Sequence, residues 1–111
     1  MSESPEVRPA EVKRRIDAGE KLRLIDVREP GEHAIASLAG AELIPMNTVP
    51  ERLQHLDALA DETPLIVFCH HGVRSLMVVN WLRKQGVDQC WSMSGGIDQW
   101  SDEIDRSVPR Y

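Results

Sequence analysis

Cysteine is scarce in this chain: Cys69 and Cys90 are the only two among 111 residues, a poor basis for a disulfide framework. In a reducing compartment both are expected as thiols, so at least one free thiol needs its own chemical explanation. No run approaches the roughly 18 consecutive apolar residues of a membrane span. The opening MSESPEVRPAEVKRR lacks the basic-then-apolar order of a signal peptide. A cytoplasmic location and no membrane partner are therefore expected. Basic charge is in deficit as well: 18 acidic against 13 basic residues give a formal net charge of −5. That argues against nucleic acid, whose phosphates call for a basic face, but not against a small anion, which needs only a local positive pocket. Internal repeats, low-complexity tracts and Gly/Ser-rich linkers are also missing, so nothing divides the chain.

What is present suits one small globular domain, since compact domains most often run to roughly 100–150 residues. The first eight residues are expected to form a flexible end, with residues 9–111 as the single domain. PAEVKRRIDAG (9–19) reads as a helix, with Pro9 in its first turn, Val12, Ile16 and Ala10 on one face and Gly19 as its stop. LRLIDV (22–27) reads as a strand ending in a carboxylate, EPGEHAIASL (29–38) as a short helix opened by Pro30, and AELIPM (41–46) as a short strand closed by Pro45. VPERLQHLDALAD (49–61) places Leu53, Leu56 and Leu59 on one helical face. PLIVFC (64–69) is apolar without polar alternation, the mark of a strand buried on both faces. SLMVVNWLRKQG (75–86) predicts a helix with Leu76, Val79, Leu82 and Arg83 near one stripe and Gly86 as its stop. VDQCWSM (87–93) predicts a last short strand, and GGIDQWSDEID (95–105) a glycine turn into a terminal helix. Strands alternating with helices predict an α/β fold, a small mainly parallel β-sheet flanked by helices on both faces. Ligands of such sheets bind beyond the carboxyl ends of the strands, and Cys69 stands at one of those ends.

The stretch CHHGVRS (69–75) offers five backbone N–H groups, from His70 through Arg74, that can turn inward over Cys69. Gly72 permits a left-handed backbone there, and successive inward N–H groups form an anion-binding nest. The helix expected to begin near Ser75 adds its positive end, with Ser75 as its N-cap, and Arg74 adds bidentate charged donors. Together they favour thiolate over thiol and make Cys69 a candidate nucleophile. His70, His71, Gly72, Val73, Arg74 and Ser75 become the substrate-binding loop. His70 and His71 could act as bases or as rim residues, and the rim is favoured. Cys69, His70 and His71 make a poor metal set, because adjacent residues rarely converge on one ion and no second cluster supplies further ligands. No metal and no cofactor are expected. Asp26 and Arg28 read as an ion-paired structural brace rather than a catalytic pair, with Arg28 reaching Glu32 or a neighbouring loop. Cys90, Trp81 and Trp91 read as core, Trp100 as packing for the terminal helix and Gly95-Gly96 as a turn.

Three stretches together resemble one family. LIDVREPGEH (24–33), VFCHHGVRS (67–75) and MSGGIDQWSDEIDRSVPRY (93–111) are similar, in the right order, to the signatures of the rhodanese-like sulfurtransferases. One departure is ASLAGA (36–41), where the family commonly has Gly-His-Ile-Pro-Gly-Ala. The resemblance implies a parallel sheet with helices on both sides and transfer of sulfane sulfur through a persulfide on Cys69. It further implies a small anionic donor such as thiosulfate, bound by Arg74, and an acceptor that is cyanide, a thiol or a protein cysteine. The alternatives are a non-catalytic partner-binding module, a relay that hands sulfur to a partner protein, and a cysteine phosphatase or arsenate reductase of related fold. Four residues, His70 to Val73, separate Cys69 from Arg74. Cysteine phosphatases need one residue more, so this loop suits sulfur and crowds phosphate.

Overall fold

In the computed structural model, which describes residues 3–111, strands and helices alternate along the chain. They are β1 Glu6–Val7, α1 Pro9–Asp17, β2 Arg23–Asp26, α2 Pro30–Ile35, β3 Glu42–Leu43, α3 Leu53–Glu62, β4 Leu65–Phe68, α4 Val73–Lys84, β5 Cys90–Met93 and α5 Gly96–Glu103. A 3-10 segment, Met46–Arg52, leads into α3. The strands form one sheet in the order β1-β5-β4-β2-β3, and every pair is parallel. The apolar run without alternation occupies the centre: all four residues of β4 are buried. Its pleat sends Leu65, Val67 and Cys69 to one side, against Leu56 and Ala60 of α3 and Val78, Val79 and Leu82 of α4. Ile66 and Phe68 go to the other side, against Val12 of α1 and Ile97 and Trp100 of α5. The expected α/β architecture, parallel sheet between two helical layers, is the one the chain adopts. Each large side chain buried in these layers contributes roughly 1.5–3 kcal/mol.

Some local expectations need correction. The flexible end expected for residues 1–8 extends too far. Glu6 and Val7 pair in parallel with Ser92 and Met93, Val7 is buried, and Ser94 donates its N–H to Val7 O at 2.9 Å. Two residues are too few to carry a strand pattern, yet they satisfy an otherwise bare edge of β5. Met1 and Ser2 of that end lie outside the described residues. In α1 only Pro9 and Val12 are buried; Ile16 and Ala10 face solvent, and the helix packs alongside α5. Helix α4 starts two residues earlier than the pattern suggests, at Val73. Trp81 and Trp91 are half-buried rather than core, with the Arg83 guanidinium 5.5 Å above the Trp91 ring. Around the departing ASLAGA segment, Ala36 and Leu38 are buried, and Ala41 closes a turn by donating to Leu38 O at 3.1 Å.

Candidate active site

Cys69 follows β4 directly and is 1% exposed. Its sulfur accepts the N–H of Gly72 at 3.1 Å and that of Ser75 at 3.3 Å. The cradle is therefore built differently from the five consecutive N–H groups expected. One donor comes from the turn, and the other belongs to the first turn of α4. Gly72 makes this possible with φ +101°, a left-handed residue that also serves as the N-cap of α4. A Cβ there would lie 3.0 Å from the backbone nitrogen of Gly95, so the position is closed to side chains on two grounds.

Ser75 consequently is not the N-cap; it sits inside the helix and is buried. Its hydroxyl lies 3.4 Å from the Cys69 sulfur, donates to Gly72 O at 3.3 Å and meets Ser92 Oγ at 2.7 Å. With a thiol present, the S–H donates to Ser75 Oγ. With a thiolate, the Ser75 O–H can turn to the sulfur while Ser92 donates to Ser75. Ser92 was not among the expected site residues. Its signal is a small polar residue at a buried place in the strand CWSM.

Helix α5 closes the loop from the other side. Ile97 donates its N–H to Cys69 O at 2.9 Å, and Asp98 donates to His70 O at 3.1 Å. A Cβ on Gly96 would collide with those same carbonyls of Cys69 and His70. The Gly95-Gly96 turn thus lets α5 press its N-terminal end, with its positive dipole, against the loop backbone. The N-terminal ends of α4 and α5 converge there.

The arginines are committed elsewhere. Arg74 forks onto the Glu32 carboxylate at 2.7 and 2.9 Å, and Glu32 also accepts the Tyr111 hydroxyl at 2.8 Å. Arg28 is fully buried and forks onto Asp26 at 2.9 and 2.7 Å. It also donates to Ala36 O at 2.6 Å, to the Tyr111 hydroxyl at 2.8 Å and to Glu32 O at 3.4 Å. His33 Nδ1 completes the Asp26 shell at 2.9 Å. The His70 ring stacks on Tyr111 with centroids 4.0 Å apart. His71 and Val73 are exposed.

The fold therefore brings Cys69, Gly72 and Ser75 together at the sulfur, puts His70 and His71 at the rim, and ties Arg74 to Glu32. Glu32, Ser92, Asp98 and Tyr111 join the site from distant parts of the chain; Glu32 lies in LIDVREPGEH and Asp98 and Tyr111 in MSGGIDQWSDEIDRSVPRY, but nothing local to them assigns a place beside the cysteine loop.

Residues 8–103 match the family described as the rhodanese-like domain. This chain belongs to the rhodanese-like family. Rhodanese-like/PpiC domain-containing protein 12, chloroplastic, from Arabidopsis thaliana is 38% identical over 93 residues, 83% of this chain and 31% of that protein. The probable adenylyltransferase/sulfurtransferase MoeZ of Mycobacterium tuberculosis is 31% identical over 105 residues, 95% of this chain and 26% of that protein. A human single-domain sulfurtransferase, TSTD1, has a solved structure with TM-score 0.76 and 28% identity, covering 90% of this chain and 97% of that one. The chain thus spans about a quarter to a third of the two curated relatives. Sulfurtransferases are among the relatives of this rhodanese-like domain.

Within the rhodanese-like domain, the charges are set by neighbours. The Arg74 guanidinium holds the Glu32 carboxyl down at about 2, with the Glu29 N–H and the Tyr111 hydroxyl helping. Burial lowers His70, and His71 beside it does the same. Burial pushes the Cys90 thiol up to about 11, so that cysteine stays protonated in the core, where its S–H donates to Val87 O at 3.3 Å. Because Glu32 titrates lower when folded than when unfolded, its contribution to stability is complete above its ordinary value near 4.5 and is withdrawn as pH falls toward 2. Glu32→Gln is therefore expected to narrow the stability difference between pH 6 and pH 3. Urea midpoints at the two pH values check it, and an unchanged difference would show that Glu32 carries none of the acid sensitivity.

Proposed function

We propose that this rhodanese-like domain transfers sulfane sulfur from an anionic donor such as thiosulfate to a nucleophilic acceptor, with Cys69 as the carrier. The observation that carries the reading is the Cys69 sulfur held at 3.1 and 3.3 Å from the N–H groups of Gly72 and Ser75 at the start of α4. Such donors stabilise a negative sulfur, whether thiolate or persulfide. In the first step the Cys69 thiolate attacks the outer sulfur of thiosulfate. A Cys–S bond to that sulfur forms, the sulfur–sulfonate bond breaks, and sulfite leaves with the electron pair. In the second step cyanide or a thiolate attacks the outer sulfur and the Cys69 thiolate departs. Two-step covalent chemistry of this kind gives ping-pong kinetics.

Intact-protein mass spectrometry tests the cycle. Thiosulfate should add about 32 Da, one sulfur atom, to Cys69, and cyanide should remove it, as a covalent intermediate requires. A folded, reduced protein that gains no mass from thiosulfate would sink the thiosulfate reading.

Arg74 is proposed to meet the donor's sulfonate oxygens, sharing itself with or leaving Glu32. Arg74→Ala should then lower kcat/KM for thiosulfate by about 10–100-fold, the size of one charge-assisted contact of roughly 1.5–3 kcal/mol. Steady-state kinetics equal to the parent's would leave Arg74 as a partner of Glu32 alone. A relay to a protein acceptor is the second reading. It is favoured by Val73 and Met77, 69% and 56% exposed on α4 next to the loop, apolar surface of the kind a partner covers.

A further inference from the structure

One cluster at the rim of the loop plays no part in the sulfur cycle. His70, His71 and Asp98 each present a ligand atom, and those atoms lie within 4.8 Å of one another. We propose that these three side chains form a binding site for a divalent first-row transition ion, with Zn2+ as the representative. The adjacent histidines make a poor metal set by themselves; it is the fold that delivers the third ligand, from α5.

Chemistry selects the class of ion. Two imidazoles and one carboxylate suit zinc and its neighbours, whereas magnesium and calcium prefer all-oxygen sets. A tetrahedral ion with bonds of about 2.0–2.2 Å needs its ligands roughly 3.4 Å apart, so the cluster must contract by somewhat more than an ångström. The backbone already holds two of the three ligands. The Asp98 N–H donates to His70 O at 3.1 Å, which locks the first turn of α5 to the loop. The remaining movement falls to His71, whose side chain is 63% exposed and whose Nε2 stands 3.9 Å from Asp98 Oδ2. A second observation points the same way. His70 Nε2 is buried and has no hydrogen-bond partner, a deficit that coordination through that nitrogen would remove. Three protein ligands leave a coordination position open, the pattern of sites that exchange water or bind a further group.

Arg110 is the competitor, forking onto the Asp98 carboxylate at 3.0 and 3.2 Å. An ion must share that carboxylate or displace the guanidinium, so removal of Arg110 should tighten the site. Cys69 is not a member of the cluster, and the site is independent of the persulfide chemistry.

Isothermal titration of Zn2+ into the reduced, untagged full chain tests the proposal, with circular dichroism confirming each variant's fold. One ion per chain is expected. Loss of even an outer-shell partner costs metal sites about 10–100-fold, so His71→Ala and Asp98→Asn should each weaken binding at least about tenfold. Arg110→Ala should strengthen it several-fold, while Cys69→Ser and His55→Ala should leave it unchanged. The proposal is overturned by no binding in the parent chain, by undiminished binding in both ligand variants, or by binding that disappears with Cys69→Ser alone.

Discussion

Cys69→Ala is expected to reduce thiosulfate-to-cyanide sulfur transfer by about 1,000-fold or more, as loss of a covalent nucleophile does elsewhere. No other group can take over the carrier role. Cys90 is fully buried, its thiol is pushed up to about 11 by burial, and its S–H is engaged with Val87 O. The histidines at the rim can move protons but cannot hold a sulfane sulfur through a turnover. The fold should survive the change. Only one sulfur atom leaves the core cluster around Val67 and Val79, a cost of about 1 kcal/mol, near the middle of the range for single substitutions. Thiocyanate formation measures the activity, and far-UV circular dichroism with urea unfolding measures the fold. Substantial turnover in a folded Cys69→Ala protein would mean that another residue carries the sulfur.

The second large effect concerns stability. Asp26→Ala should destabilise the domain by about 3–5 kcal/mol, because it strands a buried guanidinium without its counter-charge. Asp26 and Arg28 are both 0% exposed, and three hydrogen bonds join them directly, two from the guanidinium and one from the Arg28 backbone N–H. In a domain whose total stability is about 5–15 kcal/mol, that loss removes a large share. Arg28 keeps its contacts with Ala36 O and the Tyr111 hydroxyl, but neutral acceptors do not replace a carboxylate. The double variant Asp26→Leu/Arg28→Met should be less destabilised than Asp26→Ala, since it removes both charges together. Denaturant unfolding of the three proteins decides the matter. A loss below about 1 kcal/mol in Asp26→Ala would show that the neutral acceptors suffice.

Some of this was legible in the residues and some was not, and the divide follows distance along the chain. The run LIVF announced a strand buried on both faces, and the structure puts it at the middle of the sheet. CHHGVRS announced a turn that needs glycine and a helix that follows a cysteine; Gly72 and α4 occupy those places. Helix α4 begins two residues before the place its pattern indicates because Gly72 itself ends the turn, a conformation that composition alone does not specify. The two-residue β1 was illegible, since its only support is the edge of β5. So were the Arg74–Glu32 pair, 42 residues apart, and the Ser75–Ser92 pair, 17 apart.

By itself the sequence determined the order of strands and helices from α1 onward, the place of Cys69 beyond the central strand, and the spacing that sets Arg74 behind it. Periodicity and loop spacing are local, so they survive without a fold. The tertiary structure decided which N–H groups reach the sulfur, that Glu32 and Tyr111 hold the two arginines, and that Asp98 stands beside His70 and His71. Those contacts depend on how α2, α4, α5 and the chain's last residues approach one sheet end, and packing of the two cores sets that approach.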